Sequence, residues 1–278
     1  MALHFTSINS GSNGNCYYIG NETEAVLVDV GLTCKEVEKR MSRLGLSIEK
    51  IKAIFISHEH SDHIKGLAVF AKKYKLPVYI SVATLKSSKL SLDEQNTFGL
   101  SHTQNIKIGK LNITAFSKFH DAADPYSFTV ECNDVRVGVF TDIGSVCDRL
   151  VTQFKRCHAA FLEANYCANM LANGRYPYFL KQRITGGRGH LSNAQALDLF
   201  LNHRPDYMTH LLLSHLSKDN NDPLLVAEMF SNVSGNTLIK IASRDQESEV
   251  YFVSNPSKPE NAYHFDPSLY QPEQLNLF

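Results

Sequence analysis

The chain has 278 residues, 43% of them hydrophobic and 20% charged, the profile of a globular protein long enough to bury a substantial core. No apolar run approaches the roughly 20 residues of a membrane span and no secretory signal opens the chain, so the expectation is a cytoplasmic protein with no membrane partner. Lys plus Arg equals Asp plus Glu at 28 each, leaving no global charge to attract a polyanion, and six cysteines without a CxxC pair disfavour both a zinc knuckle and a disulfide framework.

Three strands open the chain: LHFTSI, NCYYIG and AVLVDVG, the first two joined by the turn formers of residues 9–14. A helix follows in KEVEKRMSRLG, with Thr33 as N-cap, Glu36 as capping-box partner and Gly45 as stop. IKAIFIS is a buried-type strand, IKGLAVFAKKYK a helix and LPVYIS a strand. From Ile106 to Phe140 the pattern changes to short successive strands, a meander without helices. Helix and strand alternate again through SNAQALDLFLNH, DYMTHLLLSH, PLLVAEMFSNV, TLIKIAS and EVYFV. Two β-rich halves, each with its own helices, predict one α/β domain in four layers over residues 1–253. Residues 254–278 carry four prolines and no periodicity, and read as an extended C-terminal tail.

One cluster stands apart chemically. Directly after IKAIFIS come His58, Glu59, His60, Ser61, Asp62 and His63, and then a helix. Two histidines at i and i+2 of an extended backbone point the same way and can hold one metal ion. Asp62 and His63, on the turn into the helix, can hold a second. Imidazole and carboxylate suit zinc, manganese or iron, and the lack of a nearby thiolate argues against a structural zinc site.

This segment resembles the HxHxDH signature of the metallo-β-lactamase superfamily, and the resemblance runs from about Leu3 to Val253. It implies a four-layer αββα sandwich with two divalent metal ions. Asp29 in LVDVG corresponds to the aspartate that supports the metal loop from behind. His120 in FHDAADP, Asp142 in VFTDIG and His215 in LLLSHLS correspond to the remaining ligands. Taken singly, His120 and Asp142 would pass as an ordinary histidine and a turn-forming aspartate; their order after HxHxDH assigns them. The resemblance thus implies His58, His60 and His120 on one ion, Asp62, His63 and His215 on the other, and Asp142 bridging.

Lactam, thioester and phosphodiester hydrolysis all occur on this fold, so the substrate must be argued from other residues. GHLSNAQAL around His190 and LEANY around Glu163 resemble the histidine and glutamate elements of the phosphodiesterase branch, such as RNase Z. There the pair relays a proton to the leaving oxygen, which a basic alkoxide needs and a thiolate does not. Between Glu163 and Asp198 no acid occurs, whereas Arg175, Lys181, Arg183 and Arg188 do, interleaved with Tyr176, Tyr178 and Phe179. Such a segment could track a phosphate backbone and stack bases, although the aromatics could equally be core. TGGRGH could offer backbone amides to an anion near the metals.

Within the superfamily the chain resembles the YycJ/WalJ type, a resemblance carried by NSGSNGNCYYI, FISHEHSDHIKGL, LEANYC, RITGGRGHLSN and LSHLSKDNNDP. It implies a cytoplasmic nuclease acting on DNA from the 5′ end, with single-stranded DNA as substrate. The chain has no room for the β-CASP insertion of RNase J-type enzymes. A small-molecule or cyclic phosphodiesterase, and a regulatory binding module stabilised by metal, remain as alternatives. The C-terminus, with Gln274, Leu275, Leu277 and Phe278, resembles the QLxLF peptide with which bacterial DNA-processing proteins bind the sliding clamp.

Overall fold

The computed structural model describes residues 2–255. The first half runs β1 (Leu3–Asn9), β2 (Cys16–Gly20), β3 (Ala25–Val28), α1 (Cys34–Arg43), β4 (Ile51–Phe55), α2 (Ser61–Ile64), α3 (Leu67–Tyr74), β5 (Val78–Ile80), α4 (Val82–Ser88) and β6 (Thr97–Gly99). There follow β7 (Gln104–Ile108), β8 (Leu111–Ser117), β9 (Tyr126–Cys132), β10 (Val135–Phe140), α5 (Asp148–Phe154), β11 (Ala159–Glu163), α6 (Ala168–Asn173) and α7 (Tyr178–Thr185). The described chain closes with α8 (Asn193–His203), β12 (His210–Ser214), α9 (Pro223–Ser231), β13 (Leu238–Ile241) and β14 (Tyr251–Val253).

The strands form two sheets of seven, in the orders β14-β1-β2-β3-β4-β5-β6 and β13-β12-β11-β10-β9-β8-β7. Each sheet is antiparallel on one side and parallel on the other, from β3 to β6 in the first and from β10 to β13 in the second. Helices cover both outer faces, so the strands are buried on two sides and read as continuous apolar runs. Side-chain alternation sorts them into layers. Tyr17, Ile19, Val26, Val28 and Phe55 meet Val130, Val137, Phe161 and Leu212 between the sheets. Tyr18, Leu27 and Ile54 turn outward onto Val37 and Met41 of α1 and Phe70 of α3. Phe140, Leu162 and Leu213 turn the other way onto Phe154 of α5, Phe200 of α8 and Phe230 of α9. This is the expected αββα sandwich, and each fully buried side chain of this size adds roughly 1.5–3 kcal/mol.

Local details depart from the sequence reading. Thr33 caps α1 by accepting from Glu36 N, but the Glu36 carboxylate turns away to Arg40 Nε at 2.8 Å. Buried Arg40 also donates to Ile8 O and Asn9 Oδ1, and its charge outcompetes the backbone amide for Glu36. The full capping box is on α8, between Ser192 and Gln195. The single helix expected from Ile64 to Lys75 is two, α2 and α3, parted at Gly66, where a Cβ would lie 1.9 Å from Leu32 O. Helices α4 to α7 were not anticipated; with lengths of 6 to 8 residues they are too short for apolar periodicity to register. No helix among the described residues is long and apolar enough to cross a membrane.

Candidate metal centre

The parallel strands end at one edge, and the candidate residues leave from those ends. Val28 of β3 pairs with Phe55 of β4, so Asp29 and the loop from Ser57 to His63 emerge side by side. In the second sheet Phe140 pairs with Leu162 and Glu163 with Ser214, which makes neighbours of Asp142, Glu163 and His215. Asp29, Asp142 and His215 each have positive φ, at 62°, 54° and 55°. A left-handed residue turns the chain sharply off the strand, at a cost of about 1–3 kcal/mol for a side chain other than glycine. The metal loop is pressed against the first sheet at Gly31, where a Cβ would sit 1.7 Å from Asp62 O. Asn15 N donates to that same oxygen at 2.7 Å, and Tyr126 N of the second sheet donates to Ser57 O at 2.9 Å.

Two groups of donor atoms result. His58 Nε2 lies 3.0 Å from His60 Nδ1, which lies 3.4 Å from His120 Nε2. Asp62 Oδ2 lies 3.5 Å from both His63 Nε2 and His215 Nε2. Asp142 stands between the groups, its Oδ2 3.3 Å from His63 Nε2 and its Oδ1 3.8 Å from His120 Nε2. The sequence-predicted ligands thus converge, with His58, His60 and His120 in one group and Asp62, His63 and His215 in another; His58 also groups with His63 and Asp142, and Asp142 with Glu163, His190 and His215.

Four of the histidines are anchored through the nitrogen away from the cluster. His63 Nδ1 donates to Asp29 Oδ2 at 2.7 Å, His120 Nδ1 to Gly189 O at 3.0 Å and His215 Nδ1 to Glu163 Oε1 at 3.0 Å. His58 Nδ1 meets Ser57 Oγ at 2.9 Å, and that hydroxyl donates to Asp29 Oδ2 at 2.7 Å. Such anchoring fixes the tautomer and presents the other nitrogen's lone pair to a cation. Asp29 therefore stands behind the loop, in contact with two of its histidines directly or through Ser57.

The donor set fits divalent cations. Asp142 Oδ2 and His215 Nε2 are buried and make no hydrogen bond, a state costing about 1–3 kcal/mol per atom unless something satisfies it. Burial raises the Asp62 and Asp142 carboxyls, but the surrounding histidines more than offset it and leave both below the carboxylate range. Burial lowers His63 and His215, yet Asp142 and the other carboxylates hold His63 well above its ordinary value and His215 at about 10. Burial takes His120 down to about 4 and also drives His58 down. A divalent cation would take the place of the protons that the carboxylates favour on His63 and His215. Asn15 competes for the second group, donating to Asp62 Oδ2 at 3.1 Å and meeting His63 Nε2 at 3.0 Å.

Beside the cluster His190 Nδ1 donates to Glu163 Oε1 at 2.7 Å. Glu163 is fully buried, and its Oε2 accepts from Ile143 N at 2.7 Å and Leu191 N at 3.1 Å. Burial raises this carboxyl, but His190 and His215 bring it down to about 2. One carboxylate therefore holds both His190 and a predicted metal ligand, a double duty with no counterpart in the sequence pattern. His190 opens onto a cleft of about 190 Å³ lined by Ser12, Asp121, Tyr176, Arg183 and His215. A larger cavity of about 340 Å³, between α3, β5 and residues 91–97, is lined by none of the clustered histidines.

The basic segment is less free than its composition promised. Arg183 pairs with Asp121, and Tyr176 Oη donates to Asp219 Oδ2 at 3.0 Å. Lys181 Nζ donates to Ala172 O at 2.6 Å. Acids absent from the window in sequence are thus supplied by other loops. Arg175, Tyr178 and Arg188 are exposed, Tyr178 at 76%, so the aromatics of α7 are surface and not core. Three of the TGGRGH amides expected to face an anion are engaged within the chain: Gly186 N, Gly189 N and His190 N donate to Gln182 O, Gly186 O and Ile184 O, and the group turned to the cluster is the Gly189 carbonyl. Sequence reasoning also missed buried Lys118, whose Nζ donates to Thr141 O at 2.6 Å and braces the turn into Asp142. In the sequence Asn15 and Ser57 read only as end residues of the strands NCYYIG and IKAIFIS. Gln274, Leu275, Leu277 and Phe278 lie outside the described residues.

A family model described as the metallo-beta-lactamase superfamily matches residues 10–125. The exodeoxyribonuclease YycJ of Bacillus anthracis is 36% identical over 226 residues, covering 80% of this chain and 85% of that protein. The exodeoxyribonuclease WalJ of Streptococcus pneumoniae is 31% identical over 228 residues, covering 80% and 84%. The metallo-beta-lactamase fold protein YhfI from Bacillus subtilis superposes with a TM-score of 0.70 at 21% identity, over 91% of this chain and 99% of that one, a likeness of fold.

Proposed function

The chain belongs to the metallo-β-lactamase superfamily, and on that premise we propose that it is a metal-dependent DNA exonuclease, digesting single-stranded DNA from the 5′ end in the cytoplasm. The observation that carries a phosphodiesterase reading is the Glu163–His190 pair, 2.7 Å apart beside the ligand cluster. His58, His60 and His120 would hold one ion, and Asp62, His63 and His215 another, with Asp142 shared between them. Two divalent ions, zinc, manganese or iron, would supply an activated water and neutralise charge on the phosphoryl oxygens. The chain's own contribution is proton transfer. Glu163 accepts from His190 Nδ1, which orients the ring and leaves Nε2 free to pass a proton to the departing oxygen. Asp62 and Asp142 are both held ionised by neighbouring histidines.

The cleft supports an extended substrate. At about 190 Å³ it is smaller than the roughly 300–1,000 Å³ of pockets that engulf small ligands, so a cyclic nucleotide would find little enclosure. Exposed Arg175, Arg188 and Tyr178 would contact the strand directly, whereas Tyr176, Lys181 and Arg183 would first have to leave their present partners. A purely structural metal site would have no use for the His190–Glu163 pair. The test is incubation of the metal-replete protein with end-labelled single-stranded DNA and RNA of both polarities. Metal-dependent release of nucleotides from the DNA 5′ end is expected; no metal-dependent hydrolysis would refute the reading.

The partner proposed for the C-terminal tail is the sliding clamp, with Leu275, Leu277 and Phe278 as apolar anchors and Gln274 at the pocket rim. Deleting Gln274 to Phe278 should abolish clamp binding in a pull-down while sparing hydrolysis of short oligonucleotides. Failure of the intact chain to bind would reject it.

A further inference from the structure

Phe119 immediately precedes His120, yet its ring is 42% exposed. Its backbone is fixed: Gly144 N donates to Phe119 O at 2.6 Å and Phe119 bridges to Ser145. Gly144 in turn carries the loop of Arg188, whose Cα would lie 2.4 Å from a Cβ at position 144. From α5, Arg149 places its Cζ 5.9 Å from the Phe119 ring centroid, and Val146, 39% exposed, flanks the same turn. Arg149 and Arg188 are both exposed, and Asp148 is the one acid among residues 143–156.

A single exposed aromatic needs no explanation by itself. Here the backbone under the ring is fixed one residue from a candidate metal ligand, with a guanidinium over the ring and a second on the adjoining loop. An aromatic face with interleaved arginines is the chemistry that recognises single-stranded nucleic acid, since every base has a π-face and every nucleotide a phosphate. We propose that Phe119, Arg149 and Arg188 form a nucleotide subsite beside the reacting centre, the base stacking on Phe119 and the flanking phosphates meeting the two arginines. The subsite rests on the DNA-nuclease reading. It is distinct from the aromatics of α7, and because Phe119 is joined directly to His120 we place it near the scissile bond.

The chain contains no tryptophan, so Phe119→Trp creates a single fluorescent reporter. Titration with a phosphorothioate-linked oligothymidylate, chosen to resist hydrolysis, should give saturable quenching, and an abasic oligonucleotide of equal length should give far less. Phe252→Trp, on edge strand β14, should show no saturable quenching. Phe119→Ala should raise KM for the oligonucleotide about tenfold more than KM for bis-p-nitrophenyl phosphate, the loss of one base–aromatic stack. Should either Phe119 variant fold poorly, Arg149→Gln reads the same subsite, lowering the slope of log affinity against log salt by about 1. Equal quenching of Phe119→Trp by the abasic strand, or no quenching of that variant by either strand when the wild type digests DNA, overturns the subsite alone. A wild type that does not act on DNA overturns the nuclease reading and the subsite with it.

Discussion

Glu163→Gln separates proton transfer from metal binding, because one carboxylate serves both. Its two oxygens accept four hydrogen bonds, from Ile143 N and Leu191 N on Oε2 and from His190 and His215 Nδ1 on Oε1. Glutamine has one acceptor oxygen. Placed to keep the two buried amides, it turns its NH₂ toward both ring nitrogens, and His190 must then offer Nδ1 as an acceptor. His190 loses its hydrogen bond to a charged carboxylate, worth about 1.5–3 kcal/mol, which converts to a roughly 10- to 150-fold slower step wherever the leaving oxygen must be protonated. Cleavage of an oligonucleotide should fall by that factor. With p-nitrophenolate as leaving group the loss should be under about threefold, since that anion departs unprotonated. His215 loses its anchor too, so metal affinity should weaken by about 10- to 100-fold. The assay is therefore kcat on both substrates at saturating metal, with bound metal measured by elemental analysis. An equal loss on the two substrates at full occupancy would refute the proton-transfer role and leave Glu163 as a positioning residue.

His190→Ala should keep its metal and slow DNA cleavage by about 10²–10⁴, because no anchored ligand depends on the His190 ring; metal loss on elemental analysis would contradict the assignment. Asp62→Ala should lose one ion and nearly all turnover with its circular dichroism unchanged, since the loop is held by backbone contacts at Gly31 and Asn15 and not by the carboxylate. The pH dependence has a definite sign. His215, raised to about 10, stabilises the metal-free fold fully below its unfolded value near 6.5, and that contribution disappears as pH rises toward 10. A cation binds the deprotonated ring, so the melting-temperature difference between metal-loaded and chelator-treated protein should widen from pH 6.5 to 10. Glu163, held at about 2, contributes stability above its unfolded value near 4.3 that is lost as pH falls toward 2, so both forms should weaken there. A melting-temperature difference that stays flat over the alkaline range would contradict the proton-for-metal exchange.

The order of the main strands, the αββα layering and the candidate ligand set from His58 to His215 were all legible in the amino-acid sequence. The reasons are local: strands buried on both faces must be apolar throughout, and His58 to His63 are contiguous, so backbone extension alone aims two of them together. The relation of His120, Asp142 and His215 to that loop came from resemblance, since no spacing rule connects residues on different strands. Tertiary structure decided what depends on strand register and on loops meeting in space. Register placed Glu163 beside His215 as well as His190 and so gave one carboxylate two tasks. Asp121 and Asp219, remote in sequence from the basic segment, closed on Arg183 and Tyr176, because charge balance is a property of neighbours in space. The left-handed turns at Asp29, Asp142 and His215 are not encoded by glycine, and they persist only because the packed strands around them hold each backbone where its own preference would not.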